Sequence, residues 1–196
     1  MSSNYTVAAI DCGTNSIRLL IASAGPDGRL VEQARDLELV RLGQGVDATG
    51  SFHPDALERT FSACRTFAKT ISDHHCDQVR FVSTSAARDV SNRDDFFTGV
   101  RDALDVDAEI IDGTEEASLS FAGAMSGVQV TDEPVLVIDC GGGSTELVLG
   151  YGTTIDSQAS LEVGSVRLRE RFLHDDPPTA EQIDDARKYV REALGS

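Results

Sequence analysis

Apolar and polar positions change period several times along the chain. Residues 5–11 and 17–22 are β-branched and apolar. The small, polar turn Cys12-Gly13-Thr14-Asn15-Ser16 between them predicts a hairpin. A third strand is predicted over 37–42, ahead of Gly43-Gln44-Gly45. Pro54 suits a first helical turn, and Leu57, Phe61, Cys64, Ala68 and Ile71 then recur at steps of three and four, which predicts a long helix. Residues 79–83 read as buried strand, 94–104 as helix, 108–111 as strand and 115–125 as helix. The stretch 127–134 is polar, contains Pro134 and reads as a crossing between domains. A second hairpin follows, 135–139 and 147–149 around Cys140-Gly141-Gly142-Gly143-Ser144, then a strand near 160–163. The last helix is predicted from about Thr179, with Ile183, Ala186, Val190 and Leu194 on one face.

This alternation implies α/β layers, with helices covering a mixed sheet. The expected division is 1–127 for a first domain carrying one glycine-containing turn, and 128–196 for the start of a second carrying the other. Three strands and one helix can hardly cover both faces of their own sheet, so the second domain is expected to be incomplete within 196 residues.

Charge changes the picture more than composition does. The net charge is −16, and only two of the 17 basic residues are lysine. No basic face for nucleic acid is expected. The field of the whole molecule also repels polyanions, so any such ligand must be held by local donors and a metal ion. No run of eighteen apolar residues is present and Met1-Ser2-Ser3-Asn4 lacks signal-peptide character, so a cytoplasmic location away from membranes is expected. Cys12, Cys64, Cys76 and Cys140 are scattered and read as reduced, small buried residues. His74-His75-Cys76-Asp77 reads as a polar helix-to-strand loop rather than a zinc site, because no second ligand pair has suitable spacing.

The two hairpins are copies of one another. Residues 7–22 align with 135–150 at an offset of 128, so that Asp11 answers Asp139, Gly13 answers Gly141, Ser16 answers Ser144 and Leu19 answers Leu147. Repeats at this separation suggest two related domains that open alike. Each strand delivers an aspartate to the mouth of a tight turn. Small residues there let backbone N–H groups approach a phosphate closely, as an anion-binding nest. Ser16, Ser144 and Thr145 add hydroxyl donors, and the aspartates suit magnesium, directly or through its water shell. Two such turns facing each other across a cleft would grip a phosphate chain. The alternative is a turn aspartate that accepts its own loop's N–H groups.

Three more positions carry candidate chemistry. Arg88, after Ser85-Ala86-Ala87, reads equally as a phosphate clamp or as a surface arginine paired with Asp89 or Asp94. Asp112-Gly113-Thr114-Glu115-Glu116 opens a helix, where acidic residues favour the helix dipole and Asp112 with Glu115 resembles a capping box; Glu116 is also a candidate for catalysis. Glu146 answers Arg18, so one hairpin carries a carboxylate pair suited to metal and the other a cation suited to phosphate.

Together these residues resemble the exopolyphosphatase and guanosine pentaphosphate phosphatase (Ppx/GppA) family. The motifs that carry the resemblance are Asp11-Cys12-Gly13-Thr14-Asn15-Ser16 with its flanking strands, Arg41-Leu42-Gly43-Gln44-Gly45, Thr84-Ser85-Ala86-Ala87-Arg88 with Asn92-Arg93, Gly113-Thr114-Glu115-Glu116-Ala117, and Asp139-Cys140-Gly141-Gly142-Gly143-Ser144-Thr145-Glu146. The resemblance implies two ribonuclease-H-like domains of the actin-like, sugar-kinase-like ATPase superfold, with a cleft between them. It implies Glu116 as catalytic base, Asp139, Gly141, Ser144 and Glu146 as metal and phosphate-site positions, and Asn15 and Arg88 as phosphate contacts; the chemistry of the two turns adds Asp11 as a metal position and Gly13, Thr14, Ser16, Gly142 and Gly143 as phosphate contacts. The activity it implies is metal-assisted release of terminal orthophosphate from polyphosphate, or alternatively from guanosine pentaphosphate, with Mg2+ or Mn2+ and a homodimer at full length. Family members continue beyond residue 196. Two rivals are a kinase or ATPase of the same superfold, which would prefer ATP, and a sensor that binds polyphosphate without hydrolysis.

Overall fold

The structure, a computed structural model, describes residues 5–25, 29–88, 90–128 and 133–195. It falls into two compact units, Met1–Ile110 and Ile111–Ser196.

In the first unit the elements run β1 (Thr6–Cys12), β2 (Ser16–Ala24), β3 (Leu30–Leu39), the short helix α1 (Val46–Thr49), α2 (Pro54–Asp73), β4 (Gln78–Ser83), a 3-10 turn (Ser85–Ala87), α3 (Arg93–Leu104) and β5 (Ala108–Ile110). They build one mixed sheet in the order β3-β2-β1-β4-β5, with β1, β4 and β5 parallel and β2 and β3 antiparallel. Alternate residues Ala8, Ile10, Cys12, Ile17, Leu19 and Ile21 face a core shared with Phe67 and Cys64 of α2 and Phe96 and Val100 of α3. The helix signals work as the sequence implies. Pro54 occupies the first turn of α2, and the His53 ring accepts from the Asp55 N–H at 3.2 Å. Asn92 pairs with both backbone groups of Phe52, at 2.8 and 3.1 Å, and Phe52 stacks on Phe96 with centroids 5.5 Å apart.

β3 begins at Leu30 and ends at Leu39, rather than covering 37–42. It is an edge strand, largely exposed, and its charged residues hide the period of two. Val40 and Leu42, the apolar positions that suggest strand, are buried just beyond it. The His74-to-Asp77 segment is a helix-to-strand loop, tied down by Thr6 N–H to Asp77 Oδ2 at 2.8 Å. No group of three or more His, Cys, Asp or Glu able to hold a metal occurs among the described residues.

The second unit contains α4 (Gly113–Ser126), the antiparallel sheet β6-β7-β8 (Val135–Cys140, Thr145–Tyr151, Thr154–Leu161), α5 (Ser165–Phe172) and α6 (Ala180–Leu194). α4 lies over this sheet, burying Ala117, Phe121 and Met125 against Val148, Val135, Val137 and Ile155. The boundary between units therefore precedes α4, whereas the sequence reading places it after residue 127. A stripe of buried positions shows that a helix packs but not on which sheet. The crossing expected at 127–134 lies partly outside the described residues, as does the Asp89 partner considered for Arg88. α5 is absent from the sequence reading: Ser165-Val166-Arg167-Leu168-Arg169-Glu170-Arg171-Phe172 is rich in charge and buries no residue fully. It is held to α6 by Phe172 on Tyr189, 5.3 Å between centroids, and by the Arg171 guanidinium 5.5 Å above the Tyr189 ring. α6 starts as expected, on a Thr179–Gln182 capping box.

All four thiols are free. Cys12 and Cys64 are buried; burial pushes Cys64 from 9.0 up to about 12 and raises Cys12 well above its usual value. Cys140, by contrast, is exposed, which the reading of all four as buried does not anticipate. Brief alkylation of the native protein at neutral pH should therefore label Cys140 ahead of Cys12 and Cys64. Peptide mass spectrometry checks this, and early labelling of Cys64 would contradict it. The stability that the buried Cys64 thiol contributes is intact at neutral pH and is lost as pH climbs from 9.0 towards about 12.

Candidate functional site

The same turn closes in both hairpins. Gly13 N–H donates to Ser16 O at 3.0 Å, and Gly141 N–H to Ser144 O at 2.9 Å. In the first unit β1 and β4 are parallel, with Cys12 beside Ser83, so the turn after β1 and the Ser85–Ala87 turn open at the same sheet edge, outside the carboxyl ends of both strands. Thr14 and Ser85 share a hydroxyl–hydroxyl bond of 3.0 Å there, and Arg88 caps the 3-10 turn. The carbonyls of Thr14 and Asn15 accept from Gly43 N–H (2.8 Å) and Arg41 N–H (2.9 Å). A trans peptide holds its C=O and N–H in opposite directions, so the N–H groups of Asn15 and Ser16 point away from residues 41–43. A Cβ on Gly43 would drive into the Thr14 side chain.

The second unit repeats this bracing. Ser165 N–H and hydroxyl donate to Gly141 O at 3.0 and 3.2 Å, Val166 and Arg167 N–H donate to Gly142 O at 2.9 and 3.1 Å, and Arg167 Nε donates to Gly143 O at 3.0 Å. Three consecutive loop carbonyls thus turn toward α5. The N–H groups of Gly142, Gly143 and Ser144 turn the other way, as an anion nest requires. The Thr145 hydroxyl, read from sequence as a phosphate donor, is used differently: it donates to Val163 O at 2.6 Å.

Cross-strand pairing sets the charges. Asp11 lies opposite Arg18, and Asp139 opposite Glu146. In the first hairpin the two make an ion pair of 3.5 Å, half exposed. In the second, two carboxylates share one face, an unfavourable juxtaposition unless a cation or donors offset it. Donors are present. Ser120 of α4 gives its hydroxyl to Asp139 Oδ2 at 2.6 Å, and Ser160 of β8 gives its hydroxyl to Glu146 Oε1 at 2.8 Å. Glu146 is only 1% exposed, so its charge needs compensation inside the protein. Glu116 stands one helical turn before Ser120, on the same flank of α4. It is in the first turn of the helix, where Asp112 accepts from Glu115 N–H at 2.8 Å and Glu116 N–H reaches Asp112 O at 3.0 Å.

Asp139 and Glu146 are the carboxylates that could hold a divalent cation. The carboxylates of Asp139 and Glu146 are hard oxygen donors, and two of them suit Mg2+, which keeps several waters and takes its other ligands from phosphate. The sequence reading adds Asp11 to the metal set; in the structure Arg18 already balances its charge.

Residues that sequence reasoning passed over are Ser120, Ser160, Gly164 and the start of α5. One signal for them was present. For Gly164 it is an apolar-glycine pair, Leu42-Gly43 and Val163-Gly164, that follows closely after the third strand of each copy.

Residues 23–196 match the Ppx/GppA phosphatase family. The chain is 52% identical over 196 residues to Exopolyphosphatase 2 of Mycobacterium tuberculosis, covering 96% of this chain and 61% of that protein. Among crystal structures, an exopolyphosphatase-like protein superposes with a TM-score of 0.90 at 48% identity, covering 98% of this chain and 62% of the other. An exopolyphosphatase from Cytophaga hutchinsonii also gives 0.90, at 31% identity, over 96% and 60%. This chain thus spans about three-fifths of the length of these relatives. With the family matched over residues 23–196 and a relative 52% identical, the chain belongs to the Ppx/GppA phosphatase family.

Proposed function

We propose that the protein is an exopolyphosphatase, releasing terminal orthophosphate from inorganic polyphosphate by metal-assisted hydrolysis. The observation that carries the reading is the presence in one unit of a nest of turned-out N–H groups (Gly142, Gly143, Ser144), the carboxylate pair Asp139 and Glu146, and α4, whose Ser120 bonds Asp139 and which carries Glu116 one turn before Ser120. Likeness to Exopolyphosphatase 2 favours polyphosphate over guanosine pentaphosphate.

Asp139 and Glu146 would hold Mg2+, with Mn2+ able to replace it. The ion, when bound, offsets charge on the terminal phosphoryl group. The Gly141–Ser144 loop holds phosphoryl oxygens through its N–H groups, and Gly13, Thr14, Asn15, Ser16 and Arg88 are proposed as further phosphate contacts by the donors they carry. Glu116 orients a water and takes its proton as the water attacks phosphorus in line with the departing chain. Positioning and charge stabilisation supply most of the rate.

The test is phosphate release from long-chain polyphosphate, guanosine pentaphosphate and ATP in parallel, with and without Mg2+. Magnesium-dependent release, fastest from polyphosphate, is expected. A preference for guanosine pentaphosphate would change the substrate, a preference for ATP would favour a kinase-like ATPase, and tight binding without release a sensor.

The metal assignment has its own test. Asp139→Asn and Glu146→Gln should each weaken Mn2+ binding, followed by electron paramagnetic resonance, at least tenfold, while Asp11→Asn should weaken it less. Equal loss in all three would return Asp11 to the same standing as the other two.

A further inference from the structure

We infer that Arg167 is a positioning residue for the second phosphate loop: its guanidinium fixes the Gly143–Ser144 peptide so that the Ser144 N–H faces the substrate phosphate. The inference rests on the phosphate-binding reading of the Gly141–Ser144 loop and extends it to a residue outside the loop.

A glycine run has little conformational preference of its own, so something else must hold three peptides in one orientation. The backbone at the start of α5 holds two of them, through Ser165 N–H to Gly141 O and the Val166 and Arg167 N–H groups to Gly142 O. The third carbonyl, Gly143 O, accepts from a side chain instead, Arg167 Nε at 3.0 Å. Arg167 is itself held. Its side chain is 18% exposed, and its Nη2 pairs with Glu162 at 2.7 Å, so the guanidinium is anchored at one end while the Nε donates at the other. Gly164 lets this start of α5 approach, because any Cβ there would run into the Gly142 carbonyl and the Gly143 nitrogen. The first loop has no such side chain on its carbonyls among the described contacts: Thr14 O and Asn15 O take backbone N–H groups only. A planar, permanently charged donor therefore completes the glycine-rich copy, where the loop is least able to hold itself.

Because the Gly143 C=O and the Ser144 N–H belong to one trans peptide, losing the bond to the first frees the second to rotate. Arg167 does not touch the phosphate in this scheme, and its effect passes through the peptide.

The experiment compares wild type, Arg167→Met and Arg167→Lys by calorimetric titration with inorganic tripolyphosphate, alongside 15N–1H spectra of the free proteins. Arg167→Met is expected to bind about tenfold more weakly, the loss of one charge-assisted bond. Arg167→Lys, which keeps a donor but not the anchored fork, should fall between. Amide resonances of Gly143 and Ser144 should shift in Arg167→Met while those of Gly13 to Ser16 stay in place, which distinguishes a local effect from general unfolding. Unchanged tripolyphosphate affinity with unchanged Ser144 resonance in Arg167→Met would overturn the role of Arg167 and leave the loop as a phosphate site. Failure of the wild type to bind tripolyphosphate, with a shifted Ser144 resonance in the variant, would instead overturn the phosphate reading of the loop. Shifts spread over both units would make Arg167 a residue of general stability and also overturn the inference.

Discussion

Glu116→Gln is expected to lower phosphate release about 10²–10⁴-fold, the range for loss of a positioned general base, while polyphosphate still binds. The substitution keeps the size of the side chain and removes its negative charge and with it the ability to take a proton. Its position makes it informative for stability too. Asp112 caps α4 through the Glu115 N–H, so losing the Glu116 charge costs the helix start only a small favourable interaction with its dipole, and the thermal midpoint should change little. Steady-state kinetics with a parallel melting curve checks both. A large loss of binding with turnover intact would make Glu116 structural. A large fall in melting temperature would assign the carboxylate to the helix end.

The second large effect is expected from a residue with no reactive group. Gly164→Ala places a methyl carbon against the Gly142–Gly143 peptide, on its carbonyl and its nitrogen, with no flexible side chain to give way. The backbone dihedral there, φ −147°, is open to any residue, so the constraint is space alone. The loop must move away from α5, and displacement of about 1 Å in a positioning element costs on the order of 10²-fold in rate. Overpacking of this kind typically costs about 1–3 kcal/mol in stability. A contrast is available at Gly45, whose φ is +70° with nothing near its added Cβ; alanine there is strained locally without displacing either loop. Phosphate release and melting curves for both variants decide the matter. Near-normal activity in Gly164→Ala would mean that the loop's position against α5 is unimportant to the chemistry.

What the sequence makes legible is what local chemistry fixes. The two hairpins, α2 with Pro54 at its start, α4 with Asp112 at its cap and α6 with its Thr179–Gln182 box are all carried by apolar period and capping residues. The repeat exposes the paired turns, and with them Asp139 and Glu146 as candidates, while Glu116 comes from the motif that opens α4 and from the family resemblance. Less legible is whatever depends on an element that buries little. β3 and β8 are edge strands whose polar residues mask the alternation, and α5 is rich in charge and buries nothing fully. Missing α5 also hides Arg167, because its role depends on a carbonyl 24 residues earlier in the chain. The hydroxyl of Thr145 shows the reverse error. A serine or threonine in a glycine turn suggests a ligand donor, yet here the neighbouring Val163 carbonyl takes it. Which sheet α4 covers is likewise tertiary information, absent from its pattern of small and apolar residues.

The strong negative charge of the chain, −16, frames the central proposal. A polyanion has to approach against that field, so binding should rest on the turned-out N–H groups and on a cation held by Asp139 and Glu146. The most direct measurement is 31P magnetic resonance of long-chain polyphosphate incubated with the protein and Mg2+, since terminal, internal and free phosphate resonate separately. Terminal hydrolysis should raise the orthophosphate signal as internal groups fall, at constant terminal intensity, and only with the metal present. Rising terminal intensity without orthophosphate would mean internal cleavage, and an unchanged spectrum would mean no hydrolysis; either would contradict an exopolyphosphatase.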